Sequence, residues 1–188
     1  MKKIIVGITA ADGVRLGWRL MELLKEQPQV ETHLVISAKA QECFRYECGI
    51  DCAQVRALAD YSYDVDNTAA AISSGSFETD GMIIAPCSMK SLAAIANGYS
   101  DNLLTRAADV CLKERRKLVL LARETPLSLI HIRNMLTVTE AGAVVLPPML
   151  TFYNSPESME DQIDHVLSKA LMQFSITPRE FKPWQGVN

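Results

Sequence analysis

Lys2-Lys3-Ile4-Ile5-Val6-Gly7-Ile8-Thr9-Ala10-Ala11-Asp12-Gly13 follows the initiator methionine. Within residues 2–9 the short, largely β-branched run Ile4-Ile5-Val6-Gly7-Ile8 has the pattern of a strand buried on both faces, and it ends at small residues. From Gly13 to about Glu26 the spacing changes. Val14, Leu16, Leu20, Met21, Leu23 and Leu24 recur at helical intervals until Pro28 stops the helix. Strand, short loop and helix then recur down the chain. A strand over 32–36 ends at Ser37 and leads into a helix carrying Cys43, Phe44 and Glu47. A strand over 81–85 is closed by Pro86-Cys87-Ser88 and followed by helices over 90–97 and 102–115. Residues 118–122 read as a strand before a helix over 127–140, and residues 143–146 as a strand ending at Pro147-Pro148. A last helix covers 158–173. Residues 59–80, polar and rich in Asp and Ser, read as a surface excursion with short elements.

This alternation with continuous apolar strands calls for a sheet covered on both faces. The expected class is α/β: a single Rossmann-like (flavodoxin-like) three-layer domain over 1–175 with a mainly parallel sheet. Residues 176–188 form a tail with Pro178, Pro183 and Trp184. A chain of 188 residues suits one hydrophobic core. In such sheets ligands sit beyond the carboxyl ends of the strands. The residues just after the strands are Thr9-Ala10-Ala11-Asp12-Gly13, Ser37, Cys87-Ser88-Met89-Lys90-Ser91, Arg123-Glu124 and, after Pro147-Pro148, Phe152-Tyr153-Asn154. Hydroxyls, amides and helix N-termini gathered on one edge suit a phosphate ester. Neither G-x-G-x-x-G nor G-x-x-x-x-G-K-[ST] is present, so one phosphate-bearing cofactor of FMN size fits better than a dinucleotide or a nucleoside triphosphate.

A formal charge of −3 gives no basic field for nucleic acid. No stretch has the ~18 apolar residues of a membrane span, and the N-terminal apolar run is too short for a signal core. Five cysteines, an odd number without C-x-x-C spacing, fit reduced thiols in the cytoplasm. His33, His131 and His165 are far apart and unaccompanied, so no metal site is expected. Cys87 at a strand end, paired with His131, is a minor nucleophilic alternative.

Pro86-Cys87-Ser88, Arg106-Ala107-Ala108-Asp109-Val110, Leu112-Lys113-Glu114, Leu121-Ala122-Arg123-Glu124-Thr125-Pro126, residues 130–136, Phe152-Tyr153-Asn154 and Trp184 together resemble the flavin prenyltransferase (UbiX-like) family. The likeness runs in order over almost the whole chain. Residues 73–80 and the ending Trp184-Gln185-Gly186 are most similar to the small B-component proteins of hydroxyarylic acid decarboxylase systems. The resemblance implies transfer of a dimethylallyl group from dimethylallyl monophosphate to N5 and C6 of reduced FMN. The product serves a UbiD-type decarboxylase. It further implies FMN bound by the first loop (Ala10, Ala11, Asp12), Ser37, Ser88, Met89, Lys90, Ser91 and Arg123. The allylic phosphate would be held by Arg106, Lys113, Arg123, Glu124, Tyr153 and Lys169, with Glu47 and Trp184 nearby. Large homo-oligomers, commonly dodecamers with shared sites, are implied as well.

The chemistry fits these residue types. Arg106, Lys113, Arg123 and Lys169 could stabilise a phosphate leaving group. Trp184 could steady an allylic cation, and Glu124 and Glu47 could move protons. Read alone, Arg106 and Lys113 could equally form a solvated helix face, Glu47 and Lys169 ordinary helix positions, and Arg123-Glu124 a surface pair. The first loop departs from the family's usual Thr-Gly-Ala-Ser(or Thr)-Gly-Ala. Ala10 replaces a glycine, and Asp12 replaces a hydroxyl with a group that cannot donate when ionised. Asp12 also suits the N-cap of the first helix, with Arg15 as partner. Lys169 stands where arginine is common, losing a planar fork. The alternative to an active transferase is therefore an FMN-binding homologue or carrier protein with weakened or lost prenyl transfer. A flavin-dependent decarboxylase of the related cysteine-oxidising group is a third reading, lacking its catalytic histidine segment here.

Overall fold

The computed structural model describes residues 1–178, 181, 183, 184 and 186. Gln185 and the remaining residues of the 176–188 tail lie outside the described residues. Strand β1 (Lys2–Ile8) is paired along its whole length with β2 (Val30–Ile36), from Lys2 opposite Val30 to Ile8 opposite Ile36. On its other side β1 meets β4 (Gly81–Cys87), which pairs with β5 (Lys117–Ala122), and β5 with the two-residue β6 (Val144–Val145). A three-residue strand, β3 (Tyr61–Tyr63), lies outside β2. Every pairing is parallel, and the order is β3-β2-β1-β4-β5-β6. Without β3 the order is the flavodoxin-like 2-1-3-4-5; with it, the Rossmann 3-2-1-4-5-6. In both, the order reverses between β1 and β4, which puts the ligand crevice at their carboxyl ends.

Side chains alternate across the strands and so feed two cores. Ile4, Val6 and Ile8 pack with Leu34, Ile83 and Val119 under helices α1 (Val14–Lys25), α2 (Ala38–Cys48) and α7 (Met159–Met172). Ile5, Val35, Met82, Ile84 and Leu120 pack under α4 (Met89–Ala96), α5 (Leu103–Lys113) and α6 (Leu129–Glu140). Burying both faces is why these strands read as unbroken apolar runs. α1 lies tight on the sheet: a Cβ on Gly17 would come within 2.5 Å of the Ala85 carbonyl oxygen.

The excursion over 59–80 contains β3 and a 3-10 turn at Ala71–Ser73. It is pinned by side chains from α5 and the turn that follows it. Arg106 Nε donates to the Ser73 carbonyl (3.1 Å) and Arg116 Nη1 to the Phe77 carbonyl (2.8 Å). A short helix absent from the sequence reading, α3 (Cys52–Arg56), is capped by Asp51, whose Oδ1 accepts the Ala53 N–H (2.8 Å). Among the described residues no helix is long and apolar enough to cross a membrane.

Candidate functional site

The ends of β1 and β4 are tied at the switch point by one threonine. The Thr9 N–H and hydroxyl both donate to the Pro86 carbonyl (3.2 and 2.9 Å), and the Ser88 N–H donates to Thr9 Oγ1 (2.8 Å). Beyond this knot opens a cavity of about 810 Å³, within the range of cofactor sites. Seven of the expected residues line it: Ala10, Ser37, Ser88, Met89, Lys90, Ser91 and Glu124.

Three helices begin at this cavity. Ser37 caps α2 by accepting the Ala40 N–H (3.3 Å), Ser88 caps α4 by accepting from Ser91 (3.3 Å), and Asn102 caps α5 by accepting from Thr105 (3.0 Å). Each start adds positive potential, and the Ser37 hydroxyl still has a proton to donate. The Ser88 hydroxyl donates to Ser91 Oγ (3.2 Å). With Lys90 at the rim, this donor set fits a phosphate ester on a planar aromatic body, as in FMN. Thr9, Lys39, Asp66, Asn102 and Thr105 also line the cavity and were not among the expected binding residues. Asn102 was detectable as a capping residue before the apolar Leu103-Leu104. Asp66, within a polar stretch, gave no signal.

A second hollow of about 410 Å³ adjoins the first through Ala10 to Asp12 and Arg123 to Glu124; Asp12, Glu47, Arg123, Met149 and Leu150 line it. The sequence suggested Asp12 as the cap of α1 and Arg15 as its partner; neither holds. Gly13, at φ 97°, is itself the N-cap, so Asp12 lies one residue outside the capping position. Glu47, reaching across from α2, does the capping: its Oε2 accepts the Gly13 and Val14 N–H groups, both at 2.9 Å. Asp12 pairs instead with the Arg123 guanidinium, and Arg15 pairs with Glu160 of α7. Arg123 is anchored through its backbone N–H to the Cys87 carbonyl (3.1 Å). The Glu124 carboxylate accepts the Thr125 N–H (3.0 Å). Ala11 holds the loop turn, its N–H donating to the Thr9 carbonyl (3.0 Å).

The remaining expected residues stand elsewhere in the chain. α5 starts at the cavity and runs away from it for eleven residues, about 16 Å of helix. Lys113, at its far end, pairs with Glu114, and Arg106, part-way along, pairs with Asp109 (2.8 Å). Lys169 lies in the last turn of α7, and Tyr153 and Trp184 pack beside that helix. The Tyr153 hydroxyl is 3.1 Å from His165 Nε2, and its ring meets Trp184 edge-on at 5.7 Å. None of these five lines either hollow. A site combining all of them is not formed within one chain.

The structure gives the Cys87–His131 pair no support. Cys87 is fully buried, and burial pushes its thiol up to about 12, which disfavours the nucleophilic thiolate. His131 belongs to the capping box of α6: its N–H donates to Ser128 Oγ (3.2 Å) and its Nδ1 accepts the Ser128 N–H (3.3 Å). Among the described residues no cluster could hold a metal.

α6 buries only Val138 and leaves Leu129, Ile130, Ile132 and Leu136 more than half exposed. Met149, Leu150 and Phe152 add to this uncovered apolar surface.

Residues 1–174 match the family model described as Flavoprotein. A probable UbiX-like flavin prenyltransferase of Sedimentibacter hydroxybenzoicus is 52% identical, over 98% of this chain and 97% of that protein. The solved structure of AnUbiX (PadA1) in complex with FMN and dimethylallyl pyrophosphate has a TM-score of 0.97 at 50% identity, covering 100% of this chain and 99% of that one. A dodecameric FMN-dependent UbiX-like decarboxylase from Escherichia coli O157:H7 has a TM-score of 0.96 at 51% identity, covering 98% and 100%.

Proposed function

The chain belongs to the UbiX-like flavin prenyltransferase family, and on that premise we propose that it transfers a dimethylallyl group from dimethylallyl monophosphate to reduced FMN, in the cytoplasm, for a UbiD-type aromatic acid decarboxylase. The observation that carries this reading is the cavity at the β1/β4 switch point, where three helix N-termini, Ser37, Ser88, Ser91 and Lys90 converge beside Arg123. When bound there, reduced FMN supplies the nucleophilic positions N5 and C6. The protein's part is to grip the allylic phosphate and to handle protons.

Arg123, lining the second hollow next to Glu124 of the flavin cavity, would meet the phosphate. Arg106, Lys113, Tyr153 and Lys169 would complete the clamp, with Trp184 facing the allyl group. Cations fixed around the leaving phosphate stabilise the charge that grows on it as the C–O bond breaks. Glu124 borders the flavin cavity and can exchange a proton with the reacting ring, while Glu47, held by two backbone amides, is a fixed acceptor at the neighbouring rim. Because the clamp residues are dispersed within one chain, the complete site would be built from neighbouring copies in a homo-oligomer, a dodecamer. The exposed face of α6 and the dodecameric relative support that arrangement. The tail following the 1–175 domain would then contribute Trp184 to the site or to a subunit interface.

One observation favours the second reading, a flavin carrier with weakened transfer: Asp12 already neutralises Arg123. The test is to incubate the protein anaerobically with reduced FMN and dimethylallyl monophosphate, then add the filtrate to a UbiD-type apo-decarboxylase. Restored decarboxylation supports the transferase. Failure to restore it, with FMN still bound by the protein, supports the carrier.

A further inference from the structure

His165 was expected only as a lone histidine, yet it is joined to a proposed substrate ligand. It sits on the buried side of α7, one turn before Lys169, with 6% of its surface exposed. Its Nε2 lies 3.1 Å from the Tyr153 hydroxyl oxygen, and the two rings meet edge to face at 5.5 Å. Phe181 also packs on the imidazole at 5.5 Å, and Tyr153 is flanked by Trp184. The imidazole is thus buried beside two aromatic rings, with Nε2 facing the phenol oxygen.

A phenol has a single proton. If Tyr153 gives it to His165, the oxygen turns only lone pairs outward, and those repel a phosphate oxygen. If His165 carries its proton on Nε2 and donates, the Tyr153 proton is released for the phosphate, and the accepted hydrogen bond makes the phenol a stronger donor. We propose that His165 is a positioning residue: as the Nε2–H tautomer it donates to Tyr153 Oη and so aims the tyrosine proton at the allylic phosphate. This rests on the reading of Tyr153 as a phosphate ligand. Burial, reinforced by the positive charge of Lys169, lowers the His165 pKa from its ordinary value, which favours a neutral ring whose one proton must choose between the two nitrogens.

Kinetics on the full-length assembled protein test this. His165→Phe should raise KM for dimethylallyl monophosphate about tenfold, with kcat and FMN affinity within about twofold of the parent. His165→Gln, whose side-chain amide N–H can reach the same oxygen, should recover most of that loss. In a Tyr153→Phe background His165→Phe should add nothing further. Equal losses for Phe and Gln, or additive losses in the double variant, overturn the proposal. A separate arm needs neither turnover nor a variant. With three histidines in the chain, the ring ¹⁵N solid-state spectrum of the parent protein can be assigned. Protonated Nε2 and bare Nδ1 at His165 are expected; the opposite tautomer refutes the assignment. Absence of prenylated flavin from the parent protein would instead overturn the functional reading, leaving the tautomer to decide the His165–Tyr153 bond.

Discussion

Asp12 and Glu47 exchange the roles their positions in the sequence suggest. Asp12, adjacent to the first turn of α1, leaves the helix uncapped and engages Arg123; Glu47, 34 residues from Gly13, supplies the cap. No local pattern announces a cap delivered from another helix, which is why the sequence pointed to Asp12. Two outcomes follow at this scale. An unscreened carboxylate ~4 Å from a phosphate costs about 1 kcal/mol in water and about 4 at an intermediate dielectric. Asp12 is 68% exposed, so the lower end applies. Asp12→Ser should therefore tighten dimethylallyl monophosphate binding by about five- to tenfold, read by isothermal titration; unchanged affinity would clear Asp12 of the impediment. Glu47→Ala should lower stability by about 1–2 kcal/mol in urea denaturation through the lost cap. A variant as stable as the parent would show that solvent caps α1 equally well.

Elements were the most legible level. Each strand that is buried on both faces announced itself as an apolar run, and each long helix by its spacing. β3 was hidden because an edge strand of three residues, Tyr61–Tyr63, buries too little to leave an apolar signature. The departure of α5 from the cavity was hidden for a different reason. Sequence placed Arg106 and Lys113 on one helix face but could not say that the helix starts at the site and ends about 16 Å away. Gly17 carries the prediction at this scale. Since its missing Cβ would meet the Ala85 carbonyl oxygen as well as the Ile8 side chain, and the carbonyl cannot swing aside, Gly17→Ala should push α1 off β4 and cost about 1–3 kcal/mol by thermal melting. A neutral substitution would mean that α1 can shift without loss.

For the whole molecule, dispersed site residues and an uncovered apolar helix point the same way. Arg123 and Glu124 stand at the cavity, Arg106 and Lys113 along α5, Tyr153 and Lys169 beside α7, and α6 turns Leu129, Ile130, Ile132 and Leu136 outward. Leu136→Asp should break the assembly, lowering the mass measured by light scattering, and abolish prenyl transfer while the monomer stays folded. Full activity in a monomeric variant would rule out a site shared between copies. The family resemblance indicated which residues could clasp a phosphate; only the three-dimensional structure showed that one chain does not bring them all together. The most direct measurement is the mass of the flavin extracted after the parent protein has met reduced FMN and dimethylallyl monophosphate under anaerobic conditions. The account predicts flavin heavier by one prenyl group; FMN recovered unchanged in mass would contradict it.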